Sequence, residues 1–303
     1  MFFRRQHTLK AGIHFEGKGL HTGVTASVRI LPAPEDTGIR FHRTDLGDDA
    51  FVSACARNIS CTARSTTISN GSASVTTVEH LLSAMTGMGV DNALVEIDGP
   101  EVPILDGSAR PYVEAINAAG LEVQNAERKV IRPSRTIEVR DEASGSYVRI
   151  EPADEPSYEV TADFGSRVLG VQKVSWHPSE DYASGIAPCR TFVFFHELEF
   201  LASKGLIKGG DVENAIVIVE HPVNPEQIER LSALFGRKDI EVSSEGYLSN
   251  IELHFPDECG RHKLLDLIGD MRLCGGFLCA KVTAYKSGHT INAAASKALV
   301  NSL

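Results

Sequence analysis

The sequence has 303 residues, 42% of them hydrophobic and 23% charged, with a net charge of −10, 7% aromatic residues and one Trp. That is the balance of a soluble globular enzyme long enough for two domains. The acidic charge and the scarcity of aromatic side chains exclude a general nucleic-acid binder, but leave room for a local basic pocket that could take a nucleotide or sugar phosphate.

At the start, Arg4 and Arg5 precede no apolar h-region, so no signal peptide is expected. The segment Val24 to Leu31 alternates apolar and polar residues like a half-buried strand, and Gly17, Gly19 and Gly23 bracket Leu20-His21-Thr22 in a tight turn. Helical spacing runs from Val78 through Met85. Thr76 with Glu79 three residues on matches a capping box, which predicts a helix start near Thr77. A strand follows over Asn92 to Ile97, then turns at Gly99-Pro100 and Asp106-Gly107-Ser108, then a helix from Pro111 to Ala119.

The polar run Gln124 to Lys129 marks a boundary and divides the chain into an N-terminal unit, 1–125, and a C-terminal unit, 126–303. Strand patterns resume at Ile137 to Val139, Tyr147 to Ile150 and Tyr158 to Asp163. Residues 223–250, opened by Pro222 and Pro225, read as a polar, helix-like surface insertion. A strand (Ile251 to Phe255), a helix (Arg261 to Leu273), a strand (Phe277 to Tyr285) and a final helix from about Thr290 complete the chain. Strands and helices in blocks predict an α+β fold. No apolar run reaches the length of a membrane span. Cys55, Cys61, Cys189, Cys259, Cys274 and Cys279 form no CxxC pair and read as reduced thiols of a cytosolic protein.

Three segments carry chemistry. In Arg261 to Asp270, His262, Asp266 and Asp270 fall four apart and would share one helix face. A His and a carboxylate so spaced can bind one cation; the same pattern also suits a solvated helix face. In Thr76 to His80, His80 could supply a third ligand, since a catalytic zinc site takes three protein ligands and keeps one position open. Glu79 beside it could take a proton from attacking water, or could merely complete the capping box. In Lys286-Ser287-Gly288-His289 a glycine-hinged His could reach a cleft and protonate a leaving amine, with Asp270 behind it favouring the imidazolium. By spacing alone that His is more simply an exposed loop residue. The remaining histidines lack ligand-like spacing; His21, among glycines, is set apart from them.

These segments, in this order, resemble the deacetylases of lipid A biosynthesis that act on UDP-3-O-acyl-N-acetylglucosamine. The resemblance runs almost the full chain: Gln6 to Lys10, Gly17 to Gly23, Pro32-Ala33-Pro34, Thr37-Gly38-Ile39, Arg43-Thr44-Asp45, Thr76 to Leu81, Pro100 to Ala109, Arg190-Thr191-Phe192, Gly205-Leu206, Arg261 to Asp270 and Lys286 to Asn292. It implies two similar α+β domains, each a two-layer sandwich of sheet and helices, with the active site at the domain interface. It implies Zn2+, or Fe2+ in its place, held by His80, His262 and Asp266. Glu79 then matches the general base, His289 the general acid, Asp270 its partner, and Thr191 a hydroxyl that stabilises the oxyanion. Lys263 matches a basic residue near the substrate's phosphates, and Phe192 and Leu20 line the site. The passage for the acyl chain would be built from Phe194, Phe195, Leu198, Leu206, Ile207 and Val212. The implied partner is a small UDP-linked acylated aminosugar, with no nucleic acid and no membrane span, handled by a cytoplasmic monomer.

The chain departs from the family pattern at Asp163-Phe164-Gly165-Ser166-Arg167, where many members have Asp-Phe-x-His-Pro. It departs again at Val193, where many have Gly, and in the length of 223–250. Two other readings stand beside the family's: a zinc amidohydrolase with a different acylated substrate, and a non-catalytic zinc protein. The latter needs a fourth protein ligand, and no Cys occupies the proposed positions.

Overall fold

A computed structural model describes residues 4–203, 208–211, 213–235, 241–242, 246–248 and 252–303. Two five-stranded sheets organise it. The first runs, edge to edge, Ile13–Lys18, Thr25–Pro32, Ala93–Ile97, Ile39–Arg43, Phe51–Ser53. The second runs Ile137–Arg140, Tyr147–Pro152, Ala280–Tyr285, Ser157–Asp163, Val171–Trp176. Both place their last strand third in the row, between the second and the third to form. In both, the one parallel pair joins that last strand to the third (Ala93–Ile97 with Ile39–Arg43, and Ala280–Tyr285 with Ser157–Asp163). The two halves of the chain thus repeat one topology, and the fold is α+β.

Seven helices occur among the described residues: α1 (Glu79–Met88), α2 (Arg110–Ala119), α3 (Tyr182–Gly185), α4 (Phe195–Ser203), α5 (Pro225–Phe235), α6 (Glu258–Arg272) and α7 (His289–Val300). The repeat extends to them. α1 precedes and α2 follows the closing strand of the first sheet, and α6 and α7 do the same for the second. α6 lies over Ser157–Asp163 and Val171–Trp176, α7 over Ile137–Arg140 and Tyr147–Pro152, and α1 packs directly on α6. None of these helices is long and apolar enough to cross a membrane.

Alternation explains the sheets. In Thr25–Pro32 the residues Ala26, Val28 and Ile30 are buried and their neighbours more open; Val148 and Ile150, Val160 and Ala162, and Val282 and Ala284 repeat this on the second sheet. One continuous core joins both sheets through Leu81, Leu82, Met85, Leu264, Leu265 and Ile268. α1 and α6 are therefore buried nearly all round, from Glu79 to Met85 and over most of 258–272. A polar residue on such a helix must find a partner or carry a function.

Four expectations change. The polar run at Gln124 belongs to a strand, Leu121–Glu127, paired antiparallel with Arg5–Leu9. Its polarity is internal wiring: Gln124 donates to the Ala33 carbonyl and accepts from Asn92, which also donates to Gln6. Residues 252–255 are not a strand, because side chains claim their backbone groups: Arg190 donates to the Glu252 carbonyl and the His254 N–H donates to Glu258. The helix read from Arg261 begins earlier, at Glu258. Phe277 to Tyr285 divides into Phe277–Leu278, paired with Val130–Ile131, and the central strand Ala280–Tyr285. Within the expected insertion 223–250, α5 is helical and the rest lies partly outside the described residues.

Candidate metal centre and active site

The entry to α1 is built on Glu101. This fully buried carboxylate accepts from the N–H groups of His21 and Thr22 and from the hydroxyls of Thr22 and Thr77, at 2.8 to 3.2 Å. Gly19 is needed there, since a Cβ on it would sit 2.4 Å from the Glu101 carboxylate. Thr77 takes a left-handed φ of 59°, a costly state for a β-branched residue, held by its bond to Glu101. The consequence corrects the capping box. Helix α1 starts at Glu79 with no side-chain cap, and the Glu79 carboxylate turns away to accept from the Thr66 N–H at 3.0 Å.

Across from Glu79, α6 presents the expected stripe. His262, Asp266 and Asp270 are all buried on the face toward α1. The two helices approach closely at Gly269, where an added Cβ would lie 2.1 Å from the Glu79 carbonyl oxygen. That approach brings His80 to the pair: its Nε2 is 3.7 Å from Asp266 Oδ1, and His262 Nε2 is 3.5 Å from the same oxygen. The ligand atoms of His80, His262 and Asp266 all lie within 4.8 Å of one another.

The donor set fits a cation. His262 turns Nδ1 to the Cys189 carbonyl at 3.0 Å, which makes Nδ1–H the donor and frees the Nε2 lone pair. Burial, and then the neighbouring His262, push the His80 imidazole down to about 3, so it stays neutral. Burial would raise Asp266, but Lys263, His262, His289 and His80 overcome it and hold the carboxyl ionised. Its Oδ2 pairs with Lys263 Nζ at 2.8 Å. Its Oδ1 is buried with no hydrogen-bond partner, facing both imidazoles. A buried carboxylate oxygen without a hydrogen-bond partner, facing two imidazole nitrogens, is a donor set that fits a tetrahedral divalent metal.

Beside the triad a buried imidazole faces a buried carboxylate. His289, the first residue of α7, points Nδ1 at Asp270 Oδ2 (3.0 Å) and Nε2 toward Glu79 Oε1 (3.8 Å) and Asp266 Oδ2 (3.9 Å). Burial alone would lower its pKa; Asp270, Glu79 and Asp266 instead raise it to about 9. Burial raises Glu79 to about 8, opposed by His289 and reinforced by Asp270 and Asp266. Positive charge placed within the triad would draw Glu79 back toward its carboxylate form.

A cavity of about 340 Å³ opens from this centre. Leu20, Thr191, Phe192, Phe194 and Lys263 all line it, together with Glu79, His289 and the triad. Its lining also includes the apolar residues Leu198, Leu201, Ala215 and Val217. Thr191 is fixed between the Gly107 carbonyl and the Ile216 N–H. The preceding Arg190 forks onto buried Glu258 at 2.9 and 3.1 Å, tying this strand to the start of α6. Phe195 is not part of the cavity lining; it packs against the small apolar cluster of Leu198, Val217, Val219 and Leu248. Leu206, Ile207 and Val212 lie outside the described residues. Phe164 does line the cavity despite its altered motif, edge-on to Phe192 at 5.2 Å.

Several residues of the site lie outside any sequence pattern that points to it. Arg64 and Glu197, paired at 2.8 Å, line the cavity from opposite halves of the chain. Thr66 and Asn292 both donate to Asp270, at 2.6 and 2.9 Å. No spacing rule finds them, because each acts across a long gap in sequence. His21, set apart by its glycines, does line the cavity.

The family model for UDP-3-O-acyl N-acetylglycosamine deacetylase matches residues 6–232 and 237–301. A bifunctional enzyme LpxC/FabZ of Porphyromonas gingivalis is 40% identical over 289 residues, which is 95% of this chain and 63% of the relative. The corresponding bifunctional enzyme of Bacteroides thetaiotaomicron is 40% identical over 95% of this chain and 62% of its own. The chain thus spans under two thirds of these two relatives. A UDP-3-O-acyl-N-acetylglucosamine deacetylase of Saccharophagus degradans is 40% identical over 95% of this chain and 88% of its own.

Proposed function

The chain belongs to the UDP-3-O-acyl N-acetylglycosamine deacetylase family, and from that premise we propose that it hydrolyses the 2-acetamido group of UDP-3-O-acyl-N-acetylglucosamine. Acetate is released, in the committed step of lipid A biosynthesis. The chain acts in the cytoplasm as a monomer, on a small molecule, and its units 1–125 and 126–303 meet at the site.

His80, His262 and Asp266 would hold Zn2+, with Fe2+ as a workable substitute. Zinc supplies Lewis acidity, which makes water a competent nucleophile near neutral pH and polarises a carbonyl. The remaining steps belong to the chain. Glu79 takes the proton of the attacking water, and its carboxylate is held for that task by the Thr66 N–H. The Thr191 hydroxyl, on a backbone fixed at both ends, donates to the oxygen that gains charge as the carbonyl becomes tetrahedral. His289, protonated by virtue of three carboxylates, gives its Nε2 proton to the departing amine while Asp270 holds Nδ1. Lys263 supports the charge on Asp266 and, from the cavity wall, offers positive charge to substrate phosphate. The acyl chain lies along Phe194, Leu198, Leu201 and Val217.

The observation that carries this reading is the buried Asp266 Oδ1, without a hydrogen-bond partner and facing two imidazoles, in the wall of a cavity that is also lined by apolar side chains. Acetate release from UDP-3-O-acyl-N-acetylglucosamine tests it, with UDP-N-acetylglucosamine as comparison. Each buried CH2 contributes about 0.8 kcal/mol, so the unacylated sugar should show at least a roughly 100-fold lower kcat/KM. No acetate from the acylated substrate, or equal turnover of both, would refute it.

A further inference from the structure

Thr66 lies just before the strand Thr67–Asn70 and is fully buried, outside every motif that points to the site. It nonetheless reaches both ends of the proposed proton path. Its N–H donates to Glu79 Oε2 at 3.0 Å, and its hydroxyl donates to Asp270 Oδ1 at 2.6 Å. Its carbonyl accepts from the Val78 N–H, one residue before α1 begins. Asp270 is 0% exposed; Asn292 and His289 share its Oδ2, while the Thr66 hydroxyl serves Oδ1.

We infer that Thr66 is a positioning residue that sets the Glu79 carboxylate and the His289 ring relative to each other, one through its backbone and the other through the Asp270 carboxylate. The inference rests on the deacetylase reading. Physically, a carboxylate bonded at both oxygens cannot turn about its Cβ–Cγ bond, and the plane of Asp270 fixes the His289 ring that donates to it. A short O–H···O⁻ bond in a buried site is among the stronger restraints available. Without the hydroxyl, Oδ1 has lost this donor, the carboxylate can rotate, and the His289 Nε2 position loosens against Glu79. Displacement of reacting groups by about 1 Å costs on the order of 100-fold in rate.

Thr66→Val keeps shape and removes the hydroxyl. In the zinc-loaded full chain we expect kcat to fall about 10- to 100-fold with KM changed less than about twofold, the pattern of an interaction needed in the transition state rather than in binding. Thr66→Ser, which restores the hydroxyl, should recover most of that loss. In an Asp270→Ala background the same Thr66→Val change should cost less than about threefold, since the carboxylate that the hydroxyl orients is gone and only its longer contact with His289 Nδ1, at 3.4 Å, remains. Should Thr66→Val not accumulate as folded protein, Thr66→Cys keeps a weaker donor at similar length and should show the same split between kcat and KM. A hydroxyl that only stabilised the fold would lower the melting temperature, leave kcat of the folded protein unchanged, and give that same result with Asp270→Ala; those outcomes overturn the inference. Wild-type protein that releases no acetate would instead refute the deacetylase reading and would be seen before any variant is made.

Discussion

Glu79→Gln should abolish nearly all acetate release, by roughly 10³-fold in kcat, while the metal content of the chain stays at the wild-type level. Glu79 is 2% exposed and contributes no atom to the triad of His80, His262 and Asp266. Gln has the same size, and its carbonyl can still accept from the Thr66 N–H. What it lacks is the capacity to take a proton. Loss of turnover with the metal retained separates a base from a ligand, whereas His80→Ala should lose the metal as well. A Glu79→Gln protein that keeps a tenth or more of wild-type kcat would mean that another group accepts the proton.

Gly269→Ala should be among the most destabilising single-methyl additions in the chain. Its Cβ would lie 2.1 Å from the Glu79 carbonyl oxygen, 2.8 Å from the carbonyl carbon and 3.1 Å from Cα, all backbone atoms of α1. No rotamer relieves such a contact. α1 must move from α6, yet both helices are buried in the core. Overpacking of this kind costs about 1–3 kcal/mol and occasionally more. Helix propensity argues the other way, since Ala is favoured over Gly by about 1 kcal/mol in a helix interior. A clear fall in melting temperature would show that close approach outweighs propensity, and it should come with lost activity because the displaced peptide belongs to Glu79. Gly185→Ala is the control: the nearest atom to its added Cβ is Arg261 Nη1 at 4.0 Å, so stability should hold within about 0.5 kcal/mol. Equal melting temperatures for wild type and Gly269→Ala would contradict the packing described.

The difference between α6 and α1 shows what a sequence can and cannot reveal. On α6, His262, Asp266 and Asp270 are legible because the helix period itself puts them on one face. On α1, Thr76-x-x-Glu79 carries the same letters whether the glutamate caps the helix or turns in toward the His80, His262 and Asp266 triad. The choice is made by Thr77, held at positive φ by Glu101, 24 residues further along. Local pattern has no access to such a tie, and only the ordered set of family motifs linked His80 to α6. Thr66 and Asp270 are 204 residues apart, so their bond leaves no trace in spacing. The repeated architecture came from the family resemblance, which implies two similar domains, and not from spacing, because it lies in strand order and no short period runs through the chain. The polar strand at Leu121–Glu127 resembles a linker in composition, since its side chains are satisfied by other polar side chains and carbonyls rather than by a core. Phe195 looked like its neighbour Phe194; adjacent residues at the join of a strand and a helix point to different surroundings, one to the cavity and the other to a satellite core.

Three side chains from two packed helices should hold one catalytic divalent metal. Metal analysis of the purified chain, coupled to acetate release before chelation, after it and after zinc is returned, tests this most directly. The expected result is about one metal per chain in wild type and far less in His262→Ala, with activity lost on chelation and restored by zinc. A metal-free chain that still deacetylates at the wild-type rate would contradict it.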